Sequence, residues 1–156
     1  MAKKHTYATK ITWTGNTGRG TETYMAYDRD FTMSAPLKQD FMGSADPVFR
    51  GDPEKYNPEE LFIASLSSCH MLWYLHLCAD NDILVHDYQD NVTSEMDEFE
   101  DGSGKFKFIT LHPVITIEDA DDIEKAKSLH KDAHQKCFIA NTINCKVNIE
   151  PEVVTR

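Results

Sequence analysis

Positive charge is short in this sequence relative to negative. Sixteen lysines and arginines stand against 26 aspartates and glutamates, leaving a formal net charge of -10 at pH 7 and a pI near 5.0. A phosphate backbone or an anionic bilayer is held through Lys and Arg, so neither nucleic acid nor a membrane surface is expected as a partner. No apolar segment follows the lysines of "MAKKHTYATK", which speaks against a secretory signal and for a cytoplasmic protein. Cysteine is sparse as well. In a reducing compartment Cys69, Cys78, Cys137 and Cys145 stay as thiols, and a disulfide among them would be transient chemistry, not a structural staple. No internal repeat, low-complexity tract or shift of composition marks a boundary, so residues 1–156 read as one domain around one core.

One segment lacks charge of either sign. From Leu61 to Ala79 there is no Lys, Arg, Asp or Glu, a run close to the roughly 20 residues of a membrane span. His70, His76 and three serines inside it, acids at both ends and the missing Lys/Arg flank argue instead for a helix buried on all sides in a soluble core. Its start is clear. Asn57 can serve as N-cap, Pro58 suits the first helical position, and Glu60 can reach back to the Asn57 amide. Its end falls near Asn81 or Asp82, after about six turns.

Around this helix the pattern is β-rich. "HTYATKITWT" alternates like a strand, "GNTGRG" can turn, and a second strand is expected over Thr21 to Tyr27. The stretch with Pro36, Pro47 and Pro53 reads as loop. "ILVHDYQDNVTSEMDEF" and "KFKFITLHPVITIE" read as two strands of one hairpin around "EDGSG". Asp121 and Glu124 can cap a second helix whose inward side carries Ile123, Ala126, Leu129, Ala133 and Cys137, followed by the turn "FIANTIN" and a last strand, "CKVNIEP". The fold class is α+β.

Phe62, Ser65, Leu66, Cys69, Leu72, Trp73 and His76 share one stripe of the first helix at steps of three and four. A thiol on an apolar wall with no charge beside it is an inert core residue. Cys78 points away from Cys69 and about 13 Å further along the axis, too far for a disulfide, which leaves Cys137 and Cys145 as possible partners. Cys137 follows the second helix, where the amides of "FIAN" could lower its pKa, whereas Cys145 opens a strand and suits packing. His130, His134 and Cys137 fall on one helix face, a spacing three metal ligands could use, although "HKDAH" lacks the glutamate of a zinc hydrolase. His70 and His76 suit the part of hydrogen-bonded core residues.

"NPEELFIASLSSCHMLW" followed by "CFIANTIN" resembles the OsmC/Ohr family of thiol peroxidases, which share this helix start, a mid-helix cysteine and a second cysteine opening a short turn near the C-terminus. The likeness runs from "YATKITWTG" to "VNIEP" and is strongest to the OsmC-like branch. It implies an OsmC-like fold, antiparallel sheets wrapped around a long central helix in an intertwined homodimer, which reduces organic hydroperoxides without a cofactor and is recycled by a dithiol reductant such as a lipoyl protein.

By that resemblance Cys69 corresponds to the peroxidatic cysteine, Cys137 to the resolving one, and Glu59 to a glutamate that holds an arginine against the thiolate. Arg50 is favoured for that arginine, ahead of Arg19 and Arg29. Phe62, Leu66, Trp73 and Phe138 would bury the alkyl part of the substrate. Glu59 and Cys69 are ten residues apart, roughly 15 Å along one helix, so Glu59 and its arginine would more easily come from a second chain packed antiparallel, with Ala64, Ser65, Ser67 and Ser68 permitting close approach. Two other readings stay open: a metal-binding protein using His130, His134 and Cys137, and a noncatalytic dimer that holds an apolar small molecule.

Overall fold

Reciprocal hydrogen bonds between Asn57 and Glu60 open the longest element of the chain. In the computed structural model, which describes residues 3–156, Asn57 Oδ1 accepts the Glu60 amide at 2.8 Å and Glu60 Oε2 accepts the Asn57 amide at 3.0 Å. This capping box satisfies two amides that a helix start leaves without partners. The helix, α1 (Pro58–Asp80), ends as its sequence indicates. Asp82 turns to φ 59°, the Asn81 side chain donates to Leu77 O at 2.8 Å, and the Ile83 amide closes on Cys78 O at 2.9 Å. The residues fall into two compact units, one reaching to Leu61 and one from Phe62 onward.

In the first unit β1 (Lys10–Trp13), β2 (Phe31–Ser34) and β3 (Phe41–Gly43) form an antiparallel sheet in that order. Here the structure corrects the sequence. Thr21 to Tyr27 is a series of turns, and the partner of β1 is β2, with Trp13 opposite Phe31. The reason is local. Asn16 Oδ1 takes the amides of Gly18 and Gly20, and the Arg29 guanidinium donates to the carbonyls of Tyr24 and Tyr27 while lying 4.2 Å from both ring centroids. Tyr24 and Tyr27 of the expected strand are thus gathered around an arginine. The proline-rich stretch holds β3 and a 3-10 turn, Pro47–Phe49, capped by Asp46. That turn ends on Arg50 at φ 67°, followed by Gly51, where an added Cβ would stand 1.5 Å from Ala45 O.

The second unit contains the rest of α1 with β4 (Val85–Asp90), β5 (Thr93–Glu98), β6 (Gly104–Leu111), β7 (Pro113–Ile117), α2 (Ile123–Lys136), β8 (Lys146–Ile149) and β9 (Glu152–Thr155). The two long strands expected are four. β5 and β6 form the hairpin, but β4 pairs with β7 in a separate sheet. The break falls where Asp90 Oδ1 accepts the His112 amide at 2.7 Å. β8 then joins β6, and β9 joins β7, both in parallel, giving sheets β5-β6-β8 and β4-β7-β9. Wholly antiparallel sheets are therefore corrected to mixed ones. Parallel neighbours need a long crossover, and α2 with the turn after it supplies one.

α2 is fed by a 3-10 turn, Ala120–Asp122, which Asp119 caps by accepting the Asp121 amide at 2.9 Å; α2 itself starts after Asp122, whose side chain makes no capping bond, so the expected Asp121 cap is not formed. Its inward side carries buried Ala126, Leu129 and Ala133, as its periodicity indicates. Two apolar clusters result, one around Tyr74, Ile115, Ile117 and Leu129, the other around Leu66, Ile109, Leu111 and Cys137. Each large apolar side chain so enclosed contributes about 1.5–3 kcal/mol. α1 is not buried on all sides. Leu66, His70, Tyr74 and Cys78 form its buried line, whereas Ala64, Ser68, Leu72 and His76 are exposed in the single chain.

Candidate active site

Cys69 and Cys137 come from opposite ends of the second unit's sequence and meet in one apolar cluster. Cys69 lies mid-helix on α1, half-buried, one turn after Leu66. Cys137 is the residue at which α2 stops, and it is fully buried. Both are free thiols, and Cys69 packs against the cluster that encloses Cys137. The turn after α2 aims its amides as the sequence suggests, with the Ala140 N–H donating to Cys137 Sγ at 3.3 Å. The consequence differs from expectation. Burial pushes the Cys137 thiol up to about 11, the neighbouring Cys69 adds to the rise, and the amides of Ala140 and Ile139 offset only part of it.

Apolar and aromatic side chains flank Cys69 along α1. Seven residues before it, Phe62 stacks on Phe106 with ring centroids 5.1 Å apart, beside a cavity of about 380 Å³ that Ile143, Cys145 and Lys105 also line. Four residues after it, Trp73 meets Phe138 edge-on at 5.9 Å and His76 at 5.6 Å, and Lys136 Nζ stands 5.5 Å from its ring centroid. Leu72, Trp73 and His76 border a shallow cavity of about 190 Å³. Phe138 is exposed, whereas Leu66 has no accessible surface and supports this wall from behind. His76 is not a core residue: it is exposed and pairs with Asp80 at 3.2 Å. Cys78 lies apart, buried in the other cluster, whereas Cys145 is packed against this one.

The three arginines considered for the site are in different states. Arg19 is exposed and paired with Glu22 at 2.6 Å. Arg29 is committed to two carbonyls and two tyrosine rings. Among the described residues the Arg50 side chain has no ion pair or hydrogen bond, and Glu59 likewise has none. Arg50 also holds a left-handed conformation that costs a non-glycine residue about 1 kcal/mol. Within the single chain Glu59 and Arg50 do not pair with each other.

His130 is not available as a metal ligand beside His134. It is buried, its Nδ1 lies 2.9 Å from His70 Nε2, and its ring stacks on Tyr74 at 3.9 Å. Among the described residues no group of three His, Cys, Asp or Glu side chains is arranged to hold a metal ion. Burial lowers His70 to about 4 and His130 to about 3, with a neighbouring histidine adding to each shift. The pairing was open to inference from periodicity. His70 continues the line of Leu66, Tyr74 and Cys78, His130 sits among Ala126, Leu129 and Ala133, and two histidines on two buried faces must find partners.

The sequence pattern of the family described as "OsmC-like protein" matches residues 51–152. An OsmC-like protein of unknown function from Vibrio cholerae has a similar structure, with 27% identity, a TM-score of 0.81, and coverage of 95% of this chain and 99% of that one. An organic hydroperoxide resistance protein from Elizabethkingia anophelis shares the fold at 20% identity and a TM-score of 0.68, over 99% of this chain and 100% of the other. An uncharacterized protein of Methanocaldococcus jannaschii is 30% identical over 95 residues, which are 60% of this chain, and the match spans about half (48%) of that relative's length.

Proposed function

The chain belongs to the OsmC-like family, and from that premise we propose that it is a thiol peroxidase which reduces organic hydroperoxides to alcohols. The observation that carries this is the meeting of a half-buried mid-helix thiol, Cys69, with a fully buried one, Cys137, inside an apolar wall. The relative from Elizabethkingia anophelis, known as an organic hydroperoxide resistance protein, supports it.

In the proposed cycle the Cys69 sulfur attacks the distal peroxide oxygen. The O–O bond breaks, the alkoxide leaves with a proton as an alcohol, and Cys69 becomes a sulfenic acid. The Cys137 sulfur then attacks that sulfenic sulfur, a disulfide forms and water departs. A dithiol reductant, for which a lipoyl protein is suitable, takes up the oxidation and restores both thiols. Arg50, held by Glu59 of a second copy in a homodimer, supplies the positive charge for the thiolate and the departing alkoxide. Its lack of an ion pair or side-chain hydrogen bond among the described residues supports that choice over Arg19 and Arg29. Trp73, Phe138 and Phe62 favour a greasy peroxide over hydrogen peroxide by burying its alkyl part.

The test is stoichiometric. One equivalent of cumene hydroperoxide should remove two thiols per chain and link Cys69 to Cys137 in peptide mapping. Cys69→Ser should abolish turnover, and Cys137→Ser should still permit a single round of oxidation. Parent-like turnover by Cys69→Ser ends this reading.

A further inference from the structure

We propose that the buried His70–His130 pair is a positioning element, which locks α1 against α2 in the one register that lets Cys69 and Cys137 meet. Among the described residues it is the one hydrogen bond joining side chains of the two helices. His70 immediately follows Cys69, one step of about 100° around α1, so a bond to its ring fixes both the rotation and the height of the cysteine. His130 is seven residues before Cys137, two turns up the same face of α2. The ring is itself clamped, 3.9 Å from Tyr74 and within 15° of parallel, and the two histidine rings lie within 11° of each other.

The pair is a poor way to gain stability. His70 Nδ1 and His130 Nε2 have no hydrogen-bond partner among the described residues. Whichever ring donates in the shared bond, another buried N–H is left unpaired, at about 1–3 kcal/mol. Two leucines would avoid that penalty. What leucines would lose is the register, because apolar surfaces tolerate sliding whereas a 2.9 Å bond between ring nitrogens does not. A disulfide is equally intolerant, since its Cα atoms must come within about 4.4–6.8 Å. The purpose of this lock rests on the peroxidase reading, but the lock itself can be tested without a peroxide.

Diamide accepts two electrons and two protons as two thiols become one disulfide, so it can close the Cys69–Cys137 bond in the reduced chain. The rate of that closure is measured by peptide mapping and divided by the rate at which monobromobimane alkylates Cys69 in the same variant. His130→Leu should lower this ratio at least tenfold. His130→Asn, whose amide occupies the place of Nδ1, should restore it to within about threefold of the parent. Should His130→Leu fail to fold, the double variant His70→Leu/His130→Leu, which leaves no orphaned nitrogen, gives the decisive ratio. Closure by a folded leucine variant at the parent's ratio overturns the proposal. A parent chain that closes with diamide but ignores cumene hydroperoxide removes the peroxidase reading, while the leucine-to-parent ratio still decides the lock.

Discussion

Ser67 donates a hydrogen bond to Asp90 at 2.5 Å, and the other oxygen of the same carboxylate accepts the His112 amide at 2.7 Å. One side chain thus ties the cysteine-bearing stretch of α1 to the point where both β ribbons break. Ser67 therefore faces inward and does not belong to the exposed face of Ala64 and Ser68 that a second copy could meet. Asp90→Ala should lose two charge-assisted bonds, about 2–4 kcal/mol. Urea melts would register this as a lower midpoint, and Asp90→Asn, which keeps one acceptor, should recover part of it.

Stability should fall as the solution is acidified through the range set by the histidine pair. The folded-state values of His70 and His130, about 4 and about 3, lie below the 6.5 of the free side chain. Between those limits the unfolded chain binds protons that the folded chain refuses, so unfolding is favoured as pH drops from 6.5 toward 4. Each group contributes a slope of about 1.4 kcal/mol per pH unit where the difference is complete. Thermal melts of the parent and of His70→Leu/His130→Leu from pH 7 to 4 should diverge in that window and run parallel above it.

Disulfide closure should accelerate with pH. The Cys137 thiol, raised to about 11, is protonated at neutrality, and its thiolate fraction grows about tenfold per unit until that value is approached. Acid quenching after one equivalent of hydroperoxide should show the sulfenic acid of Cys69 living longest at low pH. A closure rate flat from pH 6 to 9 would contradict a buried, protonated resolving thiol.

The three arginines should separate by assay. Arg50→Met is expected to slow oxidation of Cys69 about a hundredfold, the usual loss when one preorganised donor is removed. Arg19→Met, which removes only an exposed pair with Glu22, should change the rate less than twofold. Arg29→Met should lower stability by about 1–2 kcal/mol through loss of its carbonyl bonds and ring contacts, with little direct effect on the reaction.

Removing the Asn57 cap should be felt throughout α1. Asn57→Ala leaves the Glu60 amide without its 2.8 Å partner and should cost about 1 kcal/mol, measured as a shift in Tm.

Local chemistry was the legible part of this fold. Asn57, Pro58 and Glu60 state where α1 begins, Asn81 and Asp82 where it ends, and Ala126, Leu129 and Ala133 which way α2 faces, because caps and periodicity act within a few residues. Pairing between distant segments was not. Nothing within "HDYQDNVTSEMDEF" says that Asp90 will accept an amide from His112 and send β4 and β5 to different sheets. Tyr24 and Tyr27 suit a strand by residue type, and nothing in that preference says that Arg29, five and two residues on, will take their carbonyls and hold the segment in turns. At the site, family likeness singled out Cys69 and Cys137, which the structure brings together. The spacing of His130, His134 and Cys137 pointed to metal because periodicity within one helix is blind to His70 on another.

Both sheets of the second unit receive their last strand only from residues 146–155, since β8 lines up beside β6 and β9 beside β7. While the ribosome is still adding that segment, the nascent chain already carries both helices and both thiols, yet lacks the strands that complete its two walls. Closure of this core therefore waits for residues 146–155, whose Val147 and Ile149 pack against the cluster that holds Cys137, and an oxidant arriving earlier would meet that thiol less well covered.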